Sequence, residues 1–213
     1  MRYKYIFFDL DGTLTDSQEG ILNCVEYALQ SFGIHEPDRS KLRRFMGPPL
    51  VQSFAEFYGF SPEQARAATD KYRERFATVG LFEYKPFDGV YDMLQALTDS
   101  AHVMAIATSK PLVYTNRILA KYRLRPYFKF ISGAELDGTR DTQNEVIEYA
   151  IEKLGCPRDG IIMVGDRKQD IIGAKKCGIV SCGVRWGYAE PGELEAAGAD
   201  RIAETMDDLL RML

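Results

Sequence analysis

Phe8-Asp9-Leu10-Asp11-Gly12-Thr13-Leu14 closes an apolar run that begins at Tyr5. Such a short run, halted by two acids and a glycine, reads as a buried strand leaving a sheet. Carboxylates at that point are costly unless a cation or a proton compensates them. Spacing alone also allows an acidic turn of the Asp-Gly type.

Working outward, apolar runs of the same kind occur at residues 103–107, 128–131, 161–164 and 180–184. Patterns of helical length at 88–97, 111–122, 144–154 and 169–177 alternate with them. The alternation predicts an α/β fold, a Rossmann-like parallel sheet with helices on both faces.

Residues 17–82 break the alternation, with helical patterns and no convincing strand. Ser17 is placed to cap a helix that turns Ile21, Val25, Ala28, Leu29 and Phe32 to one face and stops at Gly33. Ser61-Pro62-Glu63-Gln64 reads as a capping box with proline at the first helical position. The expectation is therefore a core formed by residues 1–16 and 83–213, with an inserted domain of about four helices at 17–82. Two connections permit a hinge.

At 213 residues the chain is long enough for one core with a sizeable insertion. A formal net charge of -4 provides no basic field for a nucleic-acid polymer, whereas a small anionic substrate needs only a local positive site. Cys24, Cys156, Cys177 and Cys182 form no C-x-x-C pair, and His35 and His102 supply a zinc site poorly, so the cysteines read as reduced core thiols. Arg2 and Lys4 before Ile6-Phe7-Phe8 imitate a signal start, but that run ends at Asp9. No segment approaches a membrane span, no heptad run or apolar patch calls for an obligate protein partner, and cytoplasm is the expected compartment.

The other strand ends bring chemistry to the same edge. Residues 103–107 run into Thr108-Ser109-Lys110, which supply hydroxyls, backbone donors and a cation. Residues 161–165 run into Asp166, with Asp170 four positions on. Ligands collect at the carboxyl ends of parallel strands, and hard oxygen donors without His or Cys suit magnesium and phosphoryl transfer.

Taken together, Asp9 to Thr13, the Thr108 hydroxyl and Gly165-Asp166-Arg167-Lys168-Gln169-Asp170 resemble the haloacid dehalogenase superfamily. The inserted helices resemble its subgroup with a small helical cap of the C1 type, which includes phosphoglycolate phosphatases, pyrophosphatases, β-phosphoglucomutases and 5'-nucleotidase-like members. The resemblance covers essentially the whole chain. It implies a magnesium-dependent phosphatase in which Asp9 is the nucleophile and Asp11 the general acid and base. It implies metal binding by Asp9, the Asp11 carbonyl and Asp166, with Asp170 orienting that shell. Thr108, Lys110 and backbone donors around Gly12 and Ser109 would hold phosphoryl oxygens.

One position departs from the family. Where it places a lysine near the start of the helix after the third strand, this chain has Gln143. Arg140 supplies a substitute charge, or Lys110 or Lys168 reaches in, or activity is weak or lost. In the insertion, Arg43-Arg44-Phe45 resembles a substrate-selecting loop, while a solvated helix end accounts equally for its two cations. Tyr84, Trp186 and Tyr188 either line the cleft or cover core edges, the loop Trp186-Gly187-Tyr188 after the last main strand should lie beside Asp166, and helix capping explains Asp16 and Ser17. Asp137-Gly138-Thr139-Arg140 is closer to 5'-nucleotidase-like members, which puts nucleoside monophosphates ahead of phosphoglycolate. A phosphomutase and a binding module that has lost turnover are the competing functions; Asp11 argues against a dehalogenase.

Overall fold

The computed structural model describes residues 3–213; Met1 and Arg2, part of the signal-like start, lie outside the described residues. The chain divides into two compact units, Met1–Asp16 with Pro86–Leu213, and Ser17–Lys85.

In the first unit a six-stranded sheet runs in the order β5-β4-β1-β6-β7-β8, where β1 is Tyr5–Phe8, β4 Val103–Pro111, β5 Phe130–Ala134, β6 Ile161–Gly165, β7 Val180–Val184 and β8 Arg201–Ala203. Every recorded pairing is parallel. Two short strands, β2 (Thr15–Asp16) and β3 (Lys85–Pro86), pair where the chain passes between the units. Helices α4 (Val90–Asp99), α5 (Leu112–Lys121), α6 (Gln143–Leu154), α7 (Lys168–Lys176), α8 (Glu193–Ala196) and α9 (Met206–Met212) complete this unit.

The burial of β1 explains its central place. Ile6, Phe7 and Phe8 have no exposed surface, and full burial of each such side chain contributes about 1.5–3 kcal/mol. Phe7 joins Val146, Ile147, Ile161 and Met163 in one apolar cluster between the sheet and α6. Glu145 fixes where α6 begins by accepting from the Thr142 N–H at 2.9 Å and the Thr142 hydroxyl at 2.7 Å. Gly155 ends that helix at φ +60°.

The strand expected at 128–131 begins later, at Phe130, because a 3₁₀ turn at Arg125–Tyr127 precedes it. Strand β8, at three residues, and helix α9, at seven, are too short to carry a detectable hydrophobic period.

The Ser17–Lys85 unit holds α1 (Gln18–Gln30), α2 (Leu50–Tyr58) and α3 (Pro62–Phe76), with 3₁₀ turns at Arg39–Phe45 and Gly80–Phe82. Three α-helices and two 3₁₀ turns thus make up the helical unit, with Arg39–Phe45 in the tighter form. Ser61 and Gln64 form the capping box on α3, with bonds of 3.3 and 3.0 Å. Ser17 stands at the N-cap of α1 without a side-chain cap bond. Gly20 and Gly80 let α1 approach the second turn: a Cβ on Gly20 would lie 2.3 Å from the Gly80 oxygen. All four cysteines are buried thiols, and burial pushes Cys177 and Cys182 up to about 12. Among the described residues no helix is long and apolar enough to cross a membrane.

Candidate active site

Strand β1 lies between β4 and β6, and Phe8 is in register with Ile106 and Val164. The next residues, Asp9, Ala107 and Gly165, therefore stand at one level, where β1 leaves the sheet. This is the crevice where parallel strand order reverses. The Asp9 N–H donates to the Val164 oxygen at 2.9 Å, extending the ladder to the point of chemistry.

Beyond Asp9 the chain turns tightly, with Leu14 and Thr15 N–H groups both donating to the Leu10 oxygen at 3.0 Å. Gly12 adopts φ +82°, and a Cβ there would stand 2.1 Å from an Asp166 carboxylate oxygen. Conformation and close approach both require glycine at this position.

Carboxylate oxygens of Asp9, Asp166 and Asp170 lie within 4.8 Å of one another. Asp166 and Asp170 are 0% and 3% exposed, unlike a solvated acidic cluster. Burial first, then the charge of Asp166, push Asp9 up to about 8, against the lowering effect of a Thr108 hydrogen bond. Burial pushes Asp166 up to about 7, although the Tyr188 N–H and Arg167 oppose it. Burial and the charges of Asp9 and Asp166 hold Asp170 well above the usual carboxylate range. Three carboxylates this close, two of them buried, ionise together only beside a cation, and their oxygen-only donor set fits a hard divalent ion.

Asp166 is tightly held. Its Oδ1 accepts from the Thr13 hydroxyl at 3.2 Å and its Oδ2 from the Tyr188 N–H at 2.8 Å. Asp170 accepts from the Arg167 N–H at 3.0 Å and lies against Gly165, where a Cβ would fall 2.2 Å from its Cγ.

On β4, Thr108 is buried, and the pairing with β5 shifts register between Thr108 and Pro111. Ser109 and Lys110 stand in this irregularity, a device that re-aims side chains at a strand end. Lys110 Nζ donates to Asp11 Oδ2 at 2.6 Å, with the lysine side chain 9% exposed. Two of the expected phosphate donors have partners within the chain. The Gly12 N–H is used on the Thr15 oxygen at 2.8 Å, and the Ser109 N–H on Gln143 Oε1 at 3.1 Å.

The other candidates have different surroundings. Arg140 is engaged by Glu135 at 2.6 Å and the Gly133 oxygen at 3.0 Å, and lies 3.9 Å over the Tyr149 ring. Lys168 is exposed at the first turn of α7, where its N–H donates to Glu193 at 2.8 Å. In the helical unit Phe45 is corrected from a substrate contact to a core residue: it is 2% exposed among Phe54, Phe57 and Tyr58. Arg44 stacks over Phe57 at 4.2 Å, and Arg43 is exposed. Tyr84 is buried beside Phe76, which leaves the core reading for it.

The loop after β7 stands beside Asp166, where the sequence places it. Trp186 Nε1 donates to the Thr13 oxygen at 3.0 Å, and the Tyr188 hydroxyl to Asp16 at 2.9 Å. These aromatics act through their polar atoms, holding the turn after β1. The available signal was a glycine between two aromatics directly after a buried strand.

Residues 6–184 match the model of the haloacid dehalogenase-like hydrolases. The chain belongs to that family. Among relatives of this haloacid dehalogenase-like hydrolase, a 5'-nucleotidase of Pseudomonas aeruginosa is 43% identical over 196 residues, spanning 92% of this chain and 89% of that protein. A tyrosine-protein kinase of Mycobacterium tuberculosis is 33% identical over 213 residues, spanning 99% of this chain and 72% of that protein. The crystal structure of a predicted phosphatase from Clostridium acetobutylicum superposes with a TM-score of 0.94 at 45% identity, covering 100% of this chain and 98% of that one.

Proposed function

We propose that this phosphatase is a magnesium-dependent hydrolase of small phosphomonoesters working through an aspartyl-phosphate, with nucleoside monophosphates preferred and phosphoglycolate next. The observation that carries the reading is the close group of half-buried Asp9 with buried Asp166 and Asp170, together with the Lys110–Asp11 pair. The 5'-nucleotidase relative supports the substrate order.

In the first half-reaction an Asp9 carboxylate oxygen bonds to phosphorus while the bond to the leaving alcohol breaks, and Asp11 gives that oxygen its proton. In the second, water attacks the aspartyl-phosphate, Asp11 takes the proton, and the bond from Asp9 to phosphorus breaks to release phosphate. Lys110 and the Thr108 hydroxyl stabilise the phosphoryl oxygens as charge redistributes. Asp9, the Asp11 carbonyl, Asp166 and Asp170 would hold magnesium, which when bound supplies the positive charge that lets a carboxylate meet a phosphate. Residues 17–82 act as the cap that chooses the substrate, through Arg43 and Arg44. The reading includes a cytoplasmic location, supported by the thiol state of the cysteines.

A second reading, transfer to an acceptor other than water as in a phosphomutase, draws support from the relative named as a kinase. The test is phosphate release from nucleoside monophosphates, phosphoglycolate and sugar phosphates, with magnesium, with chelator, and with Asp9→Asn. Magnesium-dependent release abolished by the substitution is expected. Transfer to an added sugar phosphate without release of phosphate selects the second reading, and ligand binding without turnover selects a binding module.

A further inference from the structure

Gln143 opens α6 and is 6% exposed. Its carboxamide makes two bonds across Thr108: Nε2 donates to the Ala107 oxygen at 2.8 Å, and Oε1 accepts from the Ser109 N–H at 3.1 Å. The pair spans the start of the register shift between Thr108 and Pro111. Its methylene chain runs over Gly173 of α7, where a Cβ would stand 3.0 Å from Gln143 Cγ. The slot that admits this side chain is therefore a glycine.

We propose that Gln143 is a positioning residue: its carboxamide clamps the bulged segment 108–110 and so presents Lys110 as the cation of the phosphoryl site, in place of a charge on α6. The inference rests on the phosphatase reading above. It explains why this position carries an amide, because one donor and one acceptor must be met together. Lysine supplies donors alone and leaves the Ser109 N–H unmet; glutamate supplies acceptors alone and leaves the Ala107 oxygen unmet. Asparagine is a methylene too short.

Beyond the clamp, the Lys110 N–H donates to the Thr108 hydroxyl at 3.2 Å, and Nζ reaches Asp11 at 2.6 Å. The clamped backbone of 107–109 and these two contacts thus lead from α6 to the acid beside the nucleophile. Freed from Gln143, the bulge loses the constraint on both sides of Thr108, and the ammonium loses its fixed direction.

The test is a double-mutant cycle read through inhibition by inorganic phosphate in the presence of magnesium, with folding checked by thermal melting. Gln143→Ala is expected to weaken phosphate inhibition about tenfold in the otherwise native protein, and less than about twofold when Lys110→Ala is already present. Gly173→Ala, which crowds the slot without touching the amide, is expected to weaken inhibition in the same direction. Gln143→Lys is expected to lower kcat/KM. A rise in kcat/KM for Gln143→Lys overturns the clamp in favour of a missing charge, and an equal loss from Gln143→Ala in both backgrounds overturns its action through Lys110. Should the native protein release no phosphate from any ester, the phosphatase reading fails by itself, and the same cycle is read from calorimetric binding of inorganic phosphate. There, a loss that vanishes in the Lys110→Ala background supports the clamp; unchanged binding, or no binding to the native protein, overturns it.

Discussion

Gly187 approaches Asp166 so closely that a Cβ on it would stand 2.2 Å from the Asp166 Cβ and 2.5 Å from the Gly12 oxygen. Asp166 is thus enclosed by two glycine backbones, Gly12 and Gly187, and each closes off one direction of movement. Neither clash is with the end of a flexible side chain, so relief requires the backbone to shift.

Gly187→Ala is therefore expected to displace the loop after β7 and the Asp166 carboxylate with it. The magnesium concentration for half-maximal activity should rise about tenfold or more, a loss of the kind seen when groups orienting a metal ligand are disturbed. Magnesium titration of phosphate release measures it, and an unchanged half-saturation refutes the coupling.

A pH dependence follows from the acids. Asp9 and Asp166 are raised from 3.8 to about 8 and about 7 in the folded protein. Between the unfolded and folded values the native state keeps protons that the unfolded chain has released, so stability without a divalent ion falls as pH rises through that window. Melting with chelator is expected to drop by several degrees from about pH 5 to pH 8, and magnesium to raise it more at the higher pH. Asp9→Asn should flatten the trend in chelator.

Lys110→Met removes the partner of Asp11 from a pair whose side chains are 9% and 22% exposed. Breaking such a pair from one side costs about 3 kcal/mol, much of it from the charge left behind. The double variant Lys110→Met with Asp11→Asn should recover part of the stability in urea unfolding and none of the activity.

Ser61→Ala removes the cap on α3 and is expected to cost about 1 kcal/mol, because the Gln64 N–H loses its acceptor. Thermal melting of the variant checks it.

Ser61 and Ser17 mark the limit of local reading. Both have the right residue type before a helix, and Ser61 is accompanied by Pro62 and by Gln64 three positions on, whose side chain returns the bond. Ser17 has only its type. Phe45 shows the same limit in the insertion: as a residue beside two arginines it resembles a substrate contact, and only its aromatic neighbours reveal a core residue.

By itself, the sequence determined the parallel α/β core, the interruption by helices, and the polar residues at three strand ends, because strand burial, helix period and capping operate over a few residues. Tertiary structure alone decided the order that sets β1 between β4 and β6, the use of the Ser109 N–H by Gln143, and the hold of Tyr188 on Asp166. Those contacts join residues far apart in the chain, so which donor meets which acceptor is settled by how the elements stack, and no local pattern records it.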